Sequence, residues 1–297
     1  MPADDLPDDD APGARPLLTA PDVRRLAARL GTRPTKALGQ NFVIDPNTVR
    51  RIVRTAGVGV DDVVVEVGPG LGSLTLGLLA EAARVVAVEI DPVLAAELPA
   101  TVARHLPDRA DRLEVVLADA LRLEDVPGPP PTAFVANLPY HVAAPLILES
   151  IGGLPDVDRW CVLVQREIAE RLVAAPGSAL YGAPSALSAL ALEPTGRHAV
   201  SRTVFVPVPN VDSSLVAFRR RPEWGDLAGD WPAIVATVRA AFAYRRKTLV
   251  NALVLAGWRP DRAAVEAACR AAGIDAKARA ETLPGEVFVA LARSALR

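Results

Sequence analysis

The sequence predicts an open α/β fold, a parallel sheet covered by helices on both faces, followed by an all-helical C-terminal unit. Two observations carry this expectation. Short apolar runs rich in β-branched residues (DVVVEVG, RVVAVEI, LEVVLAD and TAFVANL) alternate with stretches of helical spacing between residues 62 and 138, which is the pattern of strands buried on both faces. Beyond Arg221, RPEWGDLAGDWP reads as a linker, and the rest is rich in Ala, Leu and Arg. The expected organisation is therefore a disordered acidic tail over residues 1–20, a sheet-bearing domain over 21–225 and a helical unit over 226–297. With 297 residues, 51% of them hydrophobic, the chain can bury a sizeable core.

The elements follow in order. MPADDLPDDDAPGA carries five Asp, three Pro and no base, a composition that cannot bury enough apolar surface to fold. PDVRRLAARLG places Val23, Leu26 and Leu30 on one helical face and stops at Gly31. DPNTVRRIVRTAGV predicts a second helix with Asp45 as its cap and Pro46 in its first turn. The strand series then begins, with a helix through Leu79 after the first strand and another from Pro92 after the second. WCVLVQ and SLVAFRR extend the strands, and FVPVPNVD, with two prolines, reads as an extended connector.

The net charge of −2 conceals an uneven distribution. Residues 15–55 hold nine Lys or Arg against Asp22 and Asp45, residues 56–221 hold 13 bases against 20 acids, and residues 222–297 hold 11 against 8. A polyanion would meet the two ends of the chain before its middle. Cys161 and Cys269 stand far apart without metal-ligand spacing, so no metal is expected and both read as buried thiols. The chain shows no long apolar run and no signal segment, which leads to the expectation of a cytoplasmic protein.

The cofactor signal is EVGPGLGSLT, Glu66 to Thr75, placed directly after a strand and opening a helix. Gly68, Gly70 and Gly72 permit turn conformations and close backbone approach. A structural turn or a dinucleotide site remains compatible with the glycines alone. Glu89, ending the next strand, has the placement of a ribose-binding acid. The glycines are spaced GxGxG, however, which fits the pyrophosphate fingerprint poorly. Asp119, ending the strand after that, suits an adenine amino group. These features favour S-adenosylmethionine.

ANLPYH, residues 136–141, falls at the carboxyl end of the following strand. The exocyclic amine of adenine is a poor nucleophile, because its lone pair is delocalised into the ring. Two acceptors on its hydrogens favour a nitrogen whose lone pair points at an incoming methyl group. Asn137 offers a side-chain oxygen and Leu138 a backbone carbonyl, with Pro139 biasing Leu138 toward an extended conformation. Tyr140 offers a face for an unstacked base.

Taken together, KALGQNFVID, EVGPGLGSLT, VEID, DAL, NLPY, QREIAERLVAAPGSALYG, FVPVPNVDSS and AYRRKTLVNAL occur in an order and at distances that resemble the ribosomal RNA adenine N6-dimethyltransferases of the small-subunit type, from about residue 33 to the C-terminus. The resemblance implies a Rossmann-like S-adenosylmethionine-dependent methyltransferase domain with a small C-terminal all-helical domain flanking an RNA cleft. It also implies that Asn41 and Val43 line the cofactor site, Gly68 meets the methionine end, Glu89 the ribose hydroxyls and Asp119 the cofactor adenine, with Asn137 shared between methionine and target. By the same resemblance Asn137, Leu138, Pro139 and Tyr140 would form the catalytic stretch, while Phe42 and Phe205 would complete an aromatic box with Tyr140. Arg245, Arg246 and Lys247, expected on a helix, would contact RNA with Arg166 and Arg171, and Arg219 to Arg221 would continue the phosphate track.

The implied partners are the small ribosomal subunit and its 16S rRNA, the implied activity is four methyl transfers per subunit, and the expected state is a monomer. One departure is His141, where the family pattern has Asn. Two alternatives stay open from the sequence: the related large-subunit methyltransferase that confers macrolide-type resistance, and an assembly factor that only binds RNA.

Overall fold

The computed structural model describes residues 17–31, 41–122, 125–140, 142–275 and 277–296. Most of the acidic tail, the KALGQ part of the first motif and His141 lie outside the described residues.

A capping Thr19 opens helix α1 (Ala20–Arg29), and Leu18, inside the segment expected to be a tail, is buried at 1% exposure. The pair β1 (Phe42–Val43) is followed by α2 (Pro46–Ala56), whose N-terminal amides of Asn47 and Thr48 donate to the Asp45 carboxylate. Gly57 closes that helix in the left-handed conformation, with φ of 63°. Next come β2 (Val63–Val67), α3 (Ser73–Glu81), β3 (Arg84–Glu89), α4 (Pro92–His105), β4 (Leu113–Leu117), β5 (Ala133–Asn137), α5 (Ala143–Gly153) and β6 (Arg159–Gln165). The chain continues through α6 (Arg166–Leu172), α7 (Ala183–Ala191), β7 (Leu192–Val200), β8 (Phe205–Val206) and β9 (Ser213–Arg220). It ends with helices α8 (Gly225–Ala228), α9 (Trp231–Phe242), α10 (Leu249–Leu255), α11 (Arg262–Ala271) and α12 (Gly285–Leu296).

Seven strands form one sheet in the order β4-β3-β2-β5-β6-β9-β7. Strands β2 to β6 are parallel, while β9 runs antiparallel to both β6 and β7. After β2 the chain builds outward through β3 and β4, then returns to add β5 on the other side of β2. The order reverses between β2 and β5, and in open α/β sheets a ligand crevice opens at the carboxyl ends of the strands flanking such a reversal.

The apolar residues divide by strand parity onto the two faces. Val64, Val85, Ala87, Val135 and Leu163 pack with the apolar sides of α1, α2, α3 and α4, whereas Val65, Val67, Phe134, Trp160 and Val216 pack with α5, α7 and the C-terminal helices. Buried Trp231, Ile234, Phe288 and Leu291 belong to that same continuous cluster. Among the described residues no helix is long and apolar enough to cross a membrane.

Three strands were invisible to periodicity, the two-residue β1 among them. β7, LEPTGRHAV, buries only its end residues Leu192 and Val200 among the hydrophobics, and its register shifts between Pro194 and Gly196. It is an edge strand, where proline and polar side chains are tolerated. The start of FVPVPNVD is strand β8, paired antiparallel with β1 so that Val43 opposes Phe205.

Candidate active site

The turn after β2 builds one wall of the site. Gly68 and Gly70 have φ of 69° and 58°, the left-handed region that β-carbon sterics penalise. A Cβ on Gly70 would lie 2.9 Å from the Phe42 ring, so backbone and ring can approach only because this residue is glycine. The Gly70 amide donates to Glu89 Oε2 at 3.1 Å, and the Ile90 and Asp91 amides both donate to Oε1 at 3.0 Å. Three donors thereby fix the Glu89 carboxyl at the end of β3, while its burial raises its pKa.

A cavity of about 320 Å³ opens at the β2/β5 reversal, within the size range of sites for nucleoside-sized ligands. Asn41, Phe42, Val43, Gly68, Glu89, Asp119, Asn137, Leu138, Pro139 and Tyr140 all line it. The fold thus gathers residues nearly a hundred positions apart: Asn137 Nδ2 donates to the Asn41 carbonyl at 2.9 Å. That bond holds one N–H of the amide, and no described residue donates to the side-chain oxygen of Asn137. Ser73 Oγ donates to the Val43 carbonyl at 2.7 Å, tying β1 to the start of α3.

The electrostatics of the cavity discriminate among cofactors. Glu66, Glu89 and Asp119 line it, and among its described lining residues there is no Lys, Arg or His. A dinucleotide would bring its pyrophosphate against three carboxyl groups with no counter-cation among the described lining residues, which is the reverse of phosphate recognition. A ligand carrying adenosine and a positive charge matches both the shape and the sign of the wall. The residues therefore fit S-adenosylmethionine. Among the described residues no cluster of His, Cys, Asp or Glu is arranged to hold a metal ion.

At the mouth, Leu138 donates its amide to the Leu163 carbonyl at 3.1 Å, and Val142 donates to the Pro139 carbonyl at 3.2 Å. Tyr140, partly exposed, has its hydroxyl 2.9 Å from Ser213 Oγ, and burial raises the pKa of that phenol. Ser213, buried at the start of β9, carries no local sign of this role within FVPVPNVDSS; only the tertiary contact reveals it. Glu66 is the other group that sequence reasoning left unassigned. It is 1% exposed, receives the Thr75 hydroxyl at 2.6 Å, and burial pushes its pKa up to about 8.

Other expected residues lie elsewhere. Phe205 is fully buried, paired with Val43 and absent from the cavity lining. In this conformation it backs β1 rather than presenting a face to a base. Arg166 and Arg171 are surface residues on α6, 3.5 Å from Asp212 and 2.9 Å from Glu167 respectively. Arg245, Arg246 and Lys247 are exposed as expected, but they occupy a turn after α9 and not a helix. Arg245 donates to the Ala179 carbonyl at 2.9 Å. Arg220 is no part of a phosphate track: it stacks between Trp160 and Trp224 and donates to the Val157, Ile151 and Leu154 carbonyls.

The geometry is matched by similarity to known proteins. The family model for ribosomal RNA adenine dimethylase matches residues 31–295. The chain is 59% identical over 278 residues to the ribosomal RNA small subunit methyltransferase A of Thermobifida fusca, covering 94% of this chain and 96% of that protein. It is 54% identical to the protein of the same name from Streptomyces avermitilis, covering 96% of each. Among solved structures, a dimethyladenosine transferase from Plasmodium falciparum superposes with a TM-score of 0.66 at 25% identity, covering 84% of this chain and 95% of that one. The 23S rRNA methyltransferase ErmE superposes with a TM-score of 0.57 at 29% identity, covering 86% of this chain and 100% of that one. The cavity at the strand reversal, its acid-lined wall and this similarity along nearly the whole chain lead to one conclusion: the chain belongs to the ribosomal RNA adenine dimethylase family.

Proposed function

We propose that this enzyme uses S-adenosylmethionine to dimethylate N6 of two adjacent adenosines near the 3′ end of small-subunit ribosomal RNA, in four methyl transfers. The observation that carries the choice of subunit is the 59% identity, over 96% of its length, to a relative named as a small-subunit methyltransferase. S-adenosylmethionine, when bound, supplies an electrophilic methyl group on a positively charged sulfur.

The chain's own residues supply position and polarity. Asn137, with its amide nitrogen held by the Asn41 carbonyl, turns its oxygen to the amine of the target. The Leu138 carbonyl accepts the second N–H, so the nitrogen lone pair is freed from the ring for in-line attack. Tyr140, tethered through Ser213, supports the flipped base by stacking. The methylated amine is acidic enough to lose its proton to water, so no general base is assigned.

The described C-terminal helices, with the exposed turn containing Arg245, Arg246 and Lys247, act as the RNA-facing unit over residues 226–297, joined by Arg166 and Arg171. Such contacts position the substrate, and the exposed, single-stranded state of the adenines selects the target. We place the enzyme in the cytoplasm, acting as a monomer on the ribosomal subunit. Incubation with labelled S-adenosylmethionine and a mixture of small and large subunits lacking these methylations tests the reading. Label in small-subunit RNA is expected, and label in large-subunit RNA would overturn it.

A further inference from the structure

Glu66 raises a question that the methyl-transfer geometry leaves open, namely why a carboxyl group is buried in the wall of a cofactor cavity without a basic partner among the described residues. One oxygen receives the Thr75 hydroxyl at 2.6 Å. Among the described residues no donor reaches the other oxygen, and the residue borders the cavity. The titratable group facing it is Glu89, from the neighbouring strand β3. From α3 come Ser73 and Thr75, and from β5 comes Asn137; the described lining contains no cation. A carboxylate cannot remain ionised in such a place without cost, since burial and the nearby Glu89 both favour the neutral acid.

The methyl donor carries a sulfonium charge, and the product left after transfer does not. The cavity therefore meets two ligands of the same shape that differ by one positive charge. We infer that Glu66 acts as a charge sensor: it is protonated in the empty cavity, releases its proton to solvent when the cationic donor enters, and regains one when methyl transfer leaves the uncharged thioether. The balance closes within the methyl-transfer reaction. The sulfur–methyl bond breaks, the nitrogen–methyl bond forms, and the sulfonium sulfur keeps the bonding electron pair. The proton shed by the methylated amine goes to water, and solvent supplies the proton taken up by Glu66.

Glu66 is in this sense a specificity-determining residue, favouring the donor over the spent cofactor and so assisting exchange between the four transfers. The raised pKa, about 8 through burial, places the neutral acid at the working pH, and Thr75 steadies the ionised form. The inference rests on S-adenosylmethionine being the cofactor.

Titration calorimetry of the full-length protein at pH 6.5, in phosphate and in Tris, counts the protons exchanged on binding. S-adenosylmethionine and sinefungin, a stable analogue with an ammonium in place of the sulfonium, are expected to release close to one proton each, and S-adenosylhomocysteine distinctly less. In Glu66→Gln the difference between the ligands disappears, and the preference for donor over product falls about tenfold. Thr75→Val keeps the carboxyl group and weakens only its ionised form, so it is expected to retain the difference in proton release with weaker donor binding. This second variant keeps the test intact if Glu66→Gln folds poorly. Equal proton release for donor and product in the wild type, or a difference that survives Glu66→Gln, would overturn the inference while leaving the cofactor assignment standing. Failure of the donor to bind at all would instead remove the assignment on which it rests.

Discussion

Glu66, buried, and Arg220, half-buried, are both titratable side chains drawn away from water, and the protein treats them in opposite ways. Arg220 is anchored from within: each of its three nitrogens reaches a backbone carbonyl, those of Val157, Ile151 and Leu154, at 2.6, 3.1 and 3.0 Å. Its planar face lies 4.8 and 4.5 Å from the Trp160 and Trp224 rings. Burial lowers its pKa to about 10, which still leaves it charged at neutral pH. Glu66 has one hydroxyl and no cation among the described residues. A buried charge that the fold satisfies is holding elements together, here the sheet against α5 and the segment leading to α8. A buried acid that the fold leaves incomplete is waiting for a ligand.

The contrast is sharpest at the target base. Asn137→Ala removes an acceptor whose partner comes from outside the protein, so turnover should fall by about 10²–10³-fold, the range for losing one aligned polar group in a catalytic site. RNA affinity should change little, as a filter-binding titration would check.

Removing Arg220 does the reverse. Arg220→Ala strips three carbonyls of a charged donor and opens space between two tryptophans, which should cost about 2–4 kcal/mol in denaturant unfolding. Replacing Arg245, Arg246 and Lys247 together with Ala should cost less than about 1 kcal/mol of stability, because these residues are exposed and the bonds lost are the surface contacts of Arg245 with the Ala179 carbonyl and Glu281. It should instead flatten the salt dependence of RNA binding, by about 0.7–0.9 in the log–log slope for each phosphate that is no longer neutralised. A drop in stability in the triple variant as large as that of Arg220→Ala, or an unaltered salt slope, would contradict the division between holding and binding arginines.

The pH dependence of stability sharpens the contrast. Glu66 has a folded-state pKa raised to about 8 from an ordinary value of 4.5, so the folded protein retains a proton that the unfolded chain gives up. Its contribution therefore turns unfavourable as pH rises above about 4.5, and the penalty levels off once pH passes about 8. Glu66→Gln should raise the Tm of the empty protein at pH 8 by a few degrees, and the gain should vanish near pH 4.5. The smallest effect is expected at Ser213→Ala, which loses one neutral hydrogen bond to Tyr140 worth about 0.5–1.5 kcal/mol. Its kcat should drop by only about 2–10-fold, and Tyr140→Phe should produce the same loss without adding to it.

Much of this architecture was legible in the residues because strands buried on both faces and capped helices leave local marks. DVVVEVG, RVVAVEI and the Asp45–Pro46 helix start declare themselves within a few positions. So does the cofactor wall, since the glycine turn, Glu89, Asp119 and NLPY each end a recognisable strand. β7 escaped because an edge strand with Pro194 and Gly196 has no need of alternating burial. Arg220 was grouped with its exposed neighbour Arg219, because nothing within the chain nearby reveals that Trp160 and the carbonyls closing α5 converge on it. Phe205 has the composition of an aromatic platform, and only its pairing with Val43 shows the ring turned into the core. The meaning of Glu66 likewise depends on which side chains fail to surround it.

Mapping the modified nucleosides tests the role of this cavity most directly. Small subunits lacking these methylations would be treated with the enzyme, and fragments of their RNA analysed by mass spectrometry, with wild type and Asn137→Ala side by side. Two adjacent N6,N6-dimethyladenosines near the 3′ end, formed by the wild type and nearly absent with the variant, are the predicted result. Methyl groups on any other nucleoside, or a pattern that Asn137→Ala leaves intact, would contradict the assignment of this cavity as the site of adenine dimethylation.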